Sequence, residues 1–85
     1  MRIKLLYFAS LREALGTASE ALEIPDAITT VDGLREHLRG RGPDWDRALG
    51  SGGAVRVALD QTIAGPDSPI HDGAEVAFFP PVTGG

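Results

Sequence analysis

Two glycines close this chain, Gly84 and Gly85, and behind them stand Phe78-Phe79-Pro80-Pro81-Val82-Thr83. Proline has no N–H to give to a sheet ladder, so an apolar strand that reaches Pro80 has to stop there. Pro80-Pro81 also holds φ near its polyproline value, and the six residues from Pro80 to Gly85 then reach up to roughly 20 Å as an extended stem. Glycine carries no Cβ, so the last two residues can pass through a narrow channel and leave the terminal carbonyl carbon open to a nucleophile on both faces. The pattern reads as a device that presents an acyl group to a pocket in another protein. The competing reading is a frayed terminus with no task.

No other group in the sequence assembles a reaction centre. His37 lies among charges in a helical stretch and His71 in a loop, without HxxxH or carboxylate spacing for a metal, so both are expected in solvent. Asp44 and Asp46 flank Trp45 as surface charges and caps, and Ser10 and Ser51 have no base partner, so no triad is expected. There is no cysteine, hence no disulfide, no thiolate nucleophile and no zinc-thiolate site; any reactive sulfur has to come from outside. What remains is the carboxylate of Gly85, and a carboxylate is a poor electrophile. To transfer anything it must first be activated, for instance as an acyl-adenylate made by a partner with ATP and Mg²⁺. This chain would be that partner's substrate, binding no cofactor or metal itself.

Eighty-five residues suffice for one small core and are too few for a cleft between two lobes, so a self-sufficient enzyme is not expected. The net charge of −4 disfavours nucleic acid as a partner. The one basic cluster, Arg35 to Arg41, reads as cations opposing the dipole at a helix C-terminus. The start is basic and then apolar, but Arg12 and Glu13 interrupt it too soon for a signal peptide, and no run approaches the ~20 residues of a membrane span. With no cysteine, these features point to the cytoplasm.

The elements that would hold the tail follow from periodicity. Arg2 to Phe8 alternates as a strand with Ile3, Leu5 and Tyr7 inward and Leu6 and Phe8 half exposed on the other face. Ser10-Leu11-Arg12-Glu13 matches a capping box for a short helix stopped by Gly16. A second strand ends near Ile24, before Pro25. Thr29-Thr30 offers an N-cap to the main helix, in which Val31, Leu34 and Leu38 share one face, and Pro43 opens a shorter helical turn with Trp45 and Leu49 four apart. The glycines from Gly50 to Gly53 read as a connector, because neither GxGxxG nor a P-loop lysine is present. Ala54 to Leu59 forms a strand with Val55, Val57 and Leu59 on one face, Asp60-Gln61 turns the chain, and Thr62-Ile63-Ala64 returns. Asp72-Gly73 then leads into Glu75 to Phe79, with Val76 and Phe78 inward and Phe79 as the outermost aromatic. Phe8, Ile63 and Phe79 are candidates for one exposed apolar patch that contacts a partner. The expected fold is α+β, a β-grasp with a mixed sheet of about five strands, one main helix and one or two short ones; other small α+β arrangements stay open. Residues 1–79 would form the body and 80–85 the extended Gly-Gly tail.

Tyr7-Phe8-Ala9-Ser10-Leu11-Arg12-Glu13, Asp60-Gln61 and the run from Asp72 through Phe78-Phe79-Pro80-Pro81-Val82-Thr83-Gly84-Gly85 together resemble the small subunit of molybdopterin synthase, the MoaD family. The likeness covers essentially the whole chain, and its C-terminal motif is the most specific part. It implies a ubiquitin-like β-grasp and a sulfur carrier in molybdenum cofactor biosynthesis. By the same resemblance, an E1-like adenylating enzyme would activate Gly85, and sulfur from a persulfide donor would replace the adenylate to leave a thiocarboxylate. Pro80, Pro81, Val82, Thr83 and Gly84 would then enter the large subunit of the synthase, whose active site passes that sulfur to cyclic pyranopterin monophosphate to form the dithiolene. A heterotetramer with two large subunits at its centre is implied as well. The chain departs from the family at Asp60, where Asn is frequent, and at Ala74, where Asp is; both lie in turns and bear on partner contacts more than on the fold. Sulfur delivery to another pathway, such as thiazole synthesis or tRNA thiolation, and conjugation to target lysines through Gly85 stay open beside this function.

Overall fold

The computed structural model describes residues 1–50 and 55–81. In chain order these form β1 (Arg2–Tyr7), α1 (Ala9–Leu15), β2 (Ser19–Glu23), α2 (Val31–Arg39), α3 (Pro43–Leu49), β3 (Arg56–Leu59), β4 (Thr62–Ala64) and β5 (Glu75–Phe79). The strands make one sheet in the order β2-β1-β5-β3-β4. Only the central pair, β1 and β5, is parallel; β2, β3 and β4 pair antiparallel with their neighbours. A parallel central pair flanked by two hairpins, with the main helix in the connection between them, is the ubiquitin-like β-grasp.

The helices cover one face of the sheet, and the apolar alternation of each strand is buried beneath them. Ile3, Leu5 and Tyr7 from β1, Val57 from β3 and Val76 and Phe78 from β5 meet Leu11 of α1, Val31, Leu34 and Leu38 of α2 and Leu49 of α3. Among the described residues no polar side chain is buried, as expected where every interior position is apolar in the sequence. Thr30 caps α2 as its position predicts: its side-chain oxygen accepts the Gly33 N–H at 3.1 Å. Pro43 occupies the first turn of α3, where its missing N–H costs nothing.

Two expectations are corrected. The capping box does not form: α1 begins at Ala9 with Phe8 as its N-cap and no side-chain cap, so Ser10 lies inside the first turn. Its first-turn N–H groups go instead to a backbone acceptor, with the Phe8 carbonyl receiving those of Leu11 and Arg12. The Phe8 N–H in turn donates to the Phe78 carbonyl at 3.1 Å, so β1 hands over to the helix one residue earlier than the side-chain pattern suggests. Gly16, at φ 74°, stops this helix as predicted. The second correction concerns Phe79, which is half-buried, whereas Phe8 is 47% exposed and is the outermost aromatic. Phe79 is flanked on both sides in the sheet, by Arg56 of β3 and by the end of β1, while Phe8 stands beyond the last residue of its strand.

The β3–β4 hairpin turns on Asp60 and Gln61, both at positive φ, 49° and 70°. Two such residues in succession make the primed turn that matches strand twist, and a short acceptor side chain lowers its strain. Asp60 Oδ1 accepts the Glu75 N–H at 3.0 Å, and the Asp60 N–H donates to the Glu75 carbonyl at 2.8 Å. Asp thus does the turn-capping that Asn would do at this position. The expected connector at 50–53 and the start of the third strand at Ala54 lie, apart from Gly50, outside the described residues.

Candidate functional site

The site is built from the root of the tail and the open face of the sheet beside it. Phe78 is wholly buried, stacked on Tyr7 with ring centroids 6.1 Å apart, and Trp45 meets Tyr7 edge-on at 5.6 Å. Phe78, two residues before the stem, is therefore held in a row of three aromatic rings with Tyr7 at its centre. Beyond it, Phe79, Pro80 and Pro81 are half-buried and only Phe79 belongs to a strand. Pro80 and Pro81 border a hollow of about 260 Å³, closed by Ser10, Leu11 and Ala14 of α1, Ala48 of α3 and Val55. The stem thus starts against apolar walls of the body. Val82, Thr83, Gly84 and Gly85, expected to carry the chemistry, lie outside the described residues.

The strand register decides which residues share the open face. One row runs Leu6, Ala77, Ala58 and Ile63 across four strands. The adjoining row, on the side where the tail leaves, holds Phe79 and Arg56, with Phe8 next in line beyond Tyr7. Phe8 and Phe79 are thereby brought together; Ile63 shares their face but sits one row away at the edge strand. Phe8 and Ile63, at 47% and 65%, are the large apolar side chains exposed among the described residues. On the side away from the tail the face turns charged, with Lys4 beside Glu75. The sequence reading named the three large residues and put Leu6 half exposed beside Phe8, but did not see that Leu6, Ala58 and Ala77 join them into a continuous strip. Strand parity was a signal for Leu6 and Ala58, but which strands are neighbours is not visible in one dimension.

A polar network braces the root from behind. The Tyr7 hydroxyl donates to Glu20 Oε2 at 3.0 Å, and Arg41 Nη1 donates to the same oxygen at 2.8 Å while its guanidinium lies 4.2 Å from the Trp45 ring centroid. Burial, reinforced by the Glu20 carboxylate, pushes the Tyr7 hydroxyl far above its ordinary range, so it stays a donor. The basic cluster is resolved one residue at a time. Arg39 lies in the last turn of α2 and pairs with Glu36 and Asp46, Arg41 lies past the helix, and Arg35 Nε donates to the Leu49 carbonyl at the end of α3.

His37 is exposed, as is His71, but His71 is not idle: its Nε2 lies 2.7 Å from Asp60 Oδ2. That contact, with the Asp72 carbonyl near Nδ1, raises the His71 pKa. Asp60 is held below its ordinary range by the Glu75 N–H first and by His71 second. The pair clips the β3–β4 turn to the start of β5, at the end of the strand away from the tail. Among the described residues no three His, Asp or Glu side chains gather as metal ligands, and no helix is long and apolar enough to cross a membrane.

Fold and site together define a ubiquitin-like β-grasp protein whose apolar sheet face adjoins the root of its C-terminal stem. The chain belongs to the ThiS family, which matches residues 5–85. It is 46% identical over 83 residues to the molybdopterin synthase sulfur carrier subunit of Escherichia coli (strain K12), covering 98% of this chain and 99% of the relative. The crystal structure of SAMP1 from Haloferax volcanii superposes with a TM-score of 0.77 at 26% identity, over the whole of both chains. A protein–protein complex of subunits 1 and 2 of the molybdopterin-converting factor from Helicobacter pylori contains a chain of the same fold, with a TM-score of 0.67 at 19% identity over the whole of both chains.

Proposed function

We propose that this chain is the sulfur carrier subunit of a molybdopterin synthase, with Gly85 as its working residue. The observation that carries this reading is the 46% identity to a sulfur carrier subunit along nearly the full length of both proteins. The geometry supports it: the last strand is immobilised by Phe78 in the core, and the stem leaves beside an apolar face on which a partner can dock. In this reading an E1-like partner uses ATP and Mg²⁺ to join the Gly85 carboxylate to AMP, releasing pyrophosphate. The outer sulfur of a persulfide donor then displaces AMP to give an acyl disulfide, and a thiol of the donor or activating partner cleaves its S–S bond, leaving a thiocarboxylate on Gly85 and a disulfide on the partner side. Residues Pro80 to Gly84 carry it into the large synthase subunit, whose own residues catalyse transfer to cyclic pyranopterin monophosphate. Phe8, Ile63 and Phe79 lie under that partner, two carriers flank a central pair of large subunits, and the cycle runs in the cytoplasm. The carrier is a substrate at each step and has no activity by itself.

Intact-mass analysis of the protein produced together with its activating enzyme and a sulfur donor tests this. The expected species is heavier by the exchange of one oxygen for one sulfur, located on Gly85. If the carboxylate is unchanged under conditions in which the activating enzyme is active, the reading is wrong. The likeness to SAMP1, a name that stands for small archaeal modifier protein 1, favours a second reading, conjugation to target lysines through Gly85. Isopeptide-linked adducts in extracts would support it in place of a thiocarboxylate.

A further inference from the structure

A second hollow, distinct from the one at the tail root, lies along the β4 edge of the sheet and encloses about 230 Å³. Val31 of α2, Val57 of β3 and Ile63 of β4 line its apolar part, and Arg35, Arg56 and Asp32 its charged part. Two guanidiniums against one carboxylate give this groove a positive balance on a chain whose net charge is −4.

The other arginines between Val31 and Leu49 are neutralised within the molecule. Arg39, Arg41 and Arg47 each hold a carboxylate at 2.7–3.1 Å. Among the described residues, Arg2, Arg12, Arg35 and Arg56 have no carboxylate within salt-bridge distance, and of these Arg35 and Arg56 line the groove. Arg35 is held at the groove by its Nε–H bond to the Leu49 carbonyl, and Arg56 is exposed. Planar cations left without a counter-charge beside an apolar floor match a ligand that brings a carboxylate and an apolar group together. Location narrows the occupant. Arg56 is the cross-strand neighbour of Phe79, so the groove continues from the face at the tail root around the start of β3. The adjoining edge strand, Thr62-Ile63-Ala64, is short and uncharged and ends the sheet.

We propose that this groove receives an acidic, apolar-tipped segment of the large synthase subunit, which reaches over the β4 edge while the tail is engaged. The proposal rests on the sulfur-carrier reading above. It makes Arg35 and Arg56 selectors of the partner, and Asp32 a residue that weakens the same contact.

The test is calorimetric titration of the full-length chain with the purified large subunit from the same organism, at about 50 mM and about 500 mM salt. Arg56→Glu is expected to weaken binding about tenfold at low salt and Arg56→Gln by less, with both differences shrinking at high salt. Asp32→Asn is expected to tighten binding, a direction that damage to the fold would not produce. Equal affinities for wild type, Arg56→Glu and Asp32→Asn overturn the groove assignment. So does a loss in Arg56→Glu that salt does not diminish. If these variants alter binding to the activating enzyme and leave the large subunit unaffected, the occupant named here is wrong. Should wild type acquire the thiocarboxylate and bind the large subunit while the groove variants change nothing, the groove alone fails. If wild type does neither, the function and the groove fall together.

Discussion

Two neighbouring phenylalanines offer a sharp test, because the register assigns them opposite jobs. Phe78 is 0% exposed and stacks on Tyr7, and Phe79 faces the open side between Arg56 and the end of β1. Phe78→Ala deletes a ring from a close-packed site, a change that costs about 3–5 kcal/mol in comparable cores. For 85 residues the whole stability is roughly 4–13 kcal/mol, so this one substitution removes a large share. With an m-value of about 1.5 kcal/mol/M, the urea midpoint should fall by roughly 2–3 M. Phe79→Asp takes a half-buried ring from the open face, where a loss of about 1 kcal/mol and a midpoint shift below about 1 M are expected. The binding assay should rank the two the other way. At a urea concentration of zero, with both variants folded, Phe79→Asp should bind the large subunit at least tenfold more weakly than wild type, a loss of about 1.4 kcal/mol. Folded Phe78→Ala should bind with less loss. Chemical denaturation followed by circular dichroism, paired with titration calorimetry, reads both quantities. Equal falls in the urea midpoint for the two variants would refute the parity assignment and with it the placement of the docking face.

Thr30→Ala should cost about 1 kcal/mol through loss of the α2 cap, whereas Thr30→Ser, which keeps the acceptor, should retain most of it in the same denaturation assay. The Asp60–His71 clip predicts a pH signature. His71 has a raised pKa, so its contribution is complete below its ordinary 6.5 and fades as pH rises through the higher folded value. Asp60 has a lowered pKa, so its contribution is complete above its ordinary 3.8 and fades as pH falls through the lower folded value. Both are in force between those ordinary values, and thermal melts of wild type and His71→Gln should differ most near about pH 5.5 and converge in mild alkali. A difference that does not vary with pH would show that the contact carries no proton-linked stability.

Much of this architecture is legible in the chain because it is written in local rules. The alternation of Ile3, Leu5 and Tyr7, the spacing of Val31, Leu34 and Leu38, the cap at Thr30 and the stop at Gly16 each depend on neighbours a few residues apart. The failures also have a common cause. Ser10 matched a capping motif, yet the Phe8 carbonyl serves the first-turn N–H groups, because the Phe8 N–H is engaged by Phe78, seventy residues away. His71 is an exposed loop residue as its surroundings in the sequence suggest, but its contact with Asp60 exists only because the hairpin turn brings the two together.

By itself the sequence determined what the protein has to work with: no thiol of its own, a proline stem after an aromatic strand, two closing glycines, and apolar spacing for a small α+β body. The tertiary structure alone decided what surrounds that stem. Pairing β1 with β5 and β5 with β3 sets Phe8 next to Phe79, aligns Leu6, Ala77, Ala58 and Ile63 into a strip, and places Arg56 beside the groove that also holds Arg35. Side-chain periodicity follows from the geometry of a single strand or helix and so survives in one dimension. Cross-strand adjacency follows from which distant segments share hydrogen bonds, and that exists only once the sheet has closed.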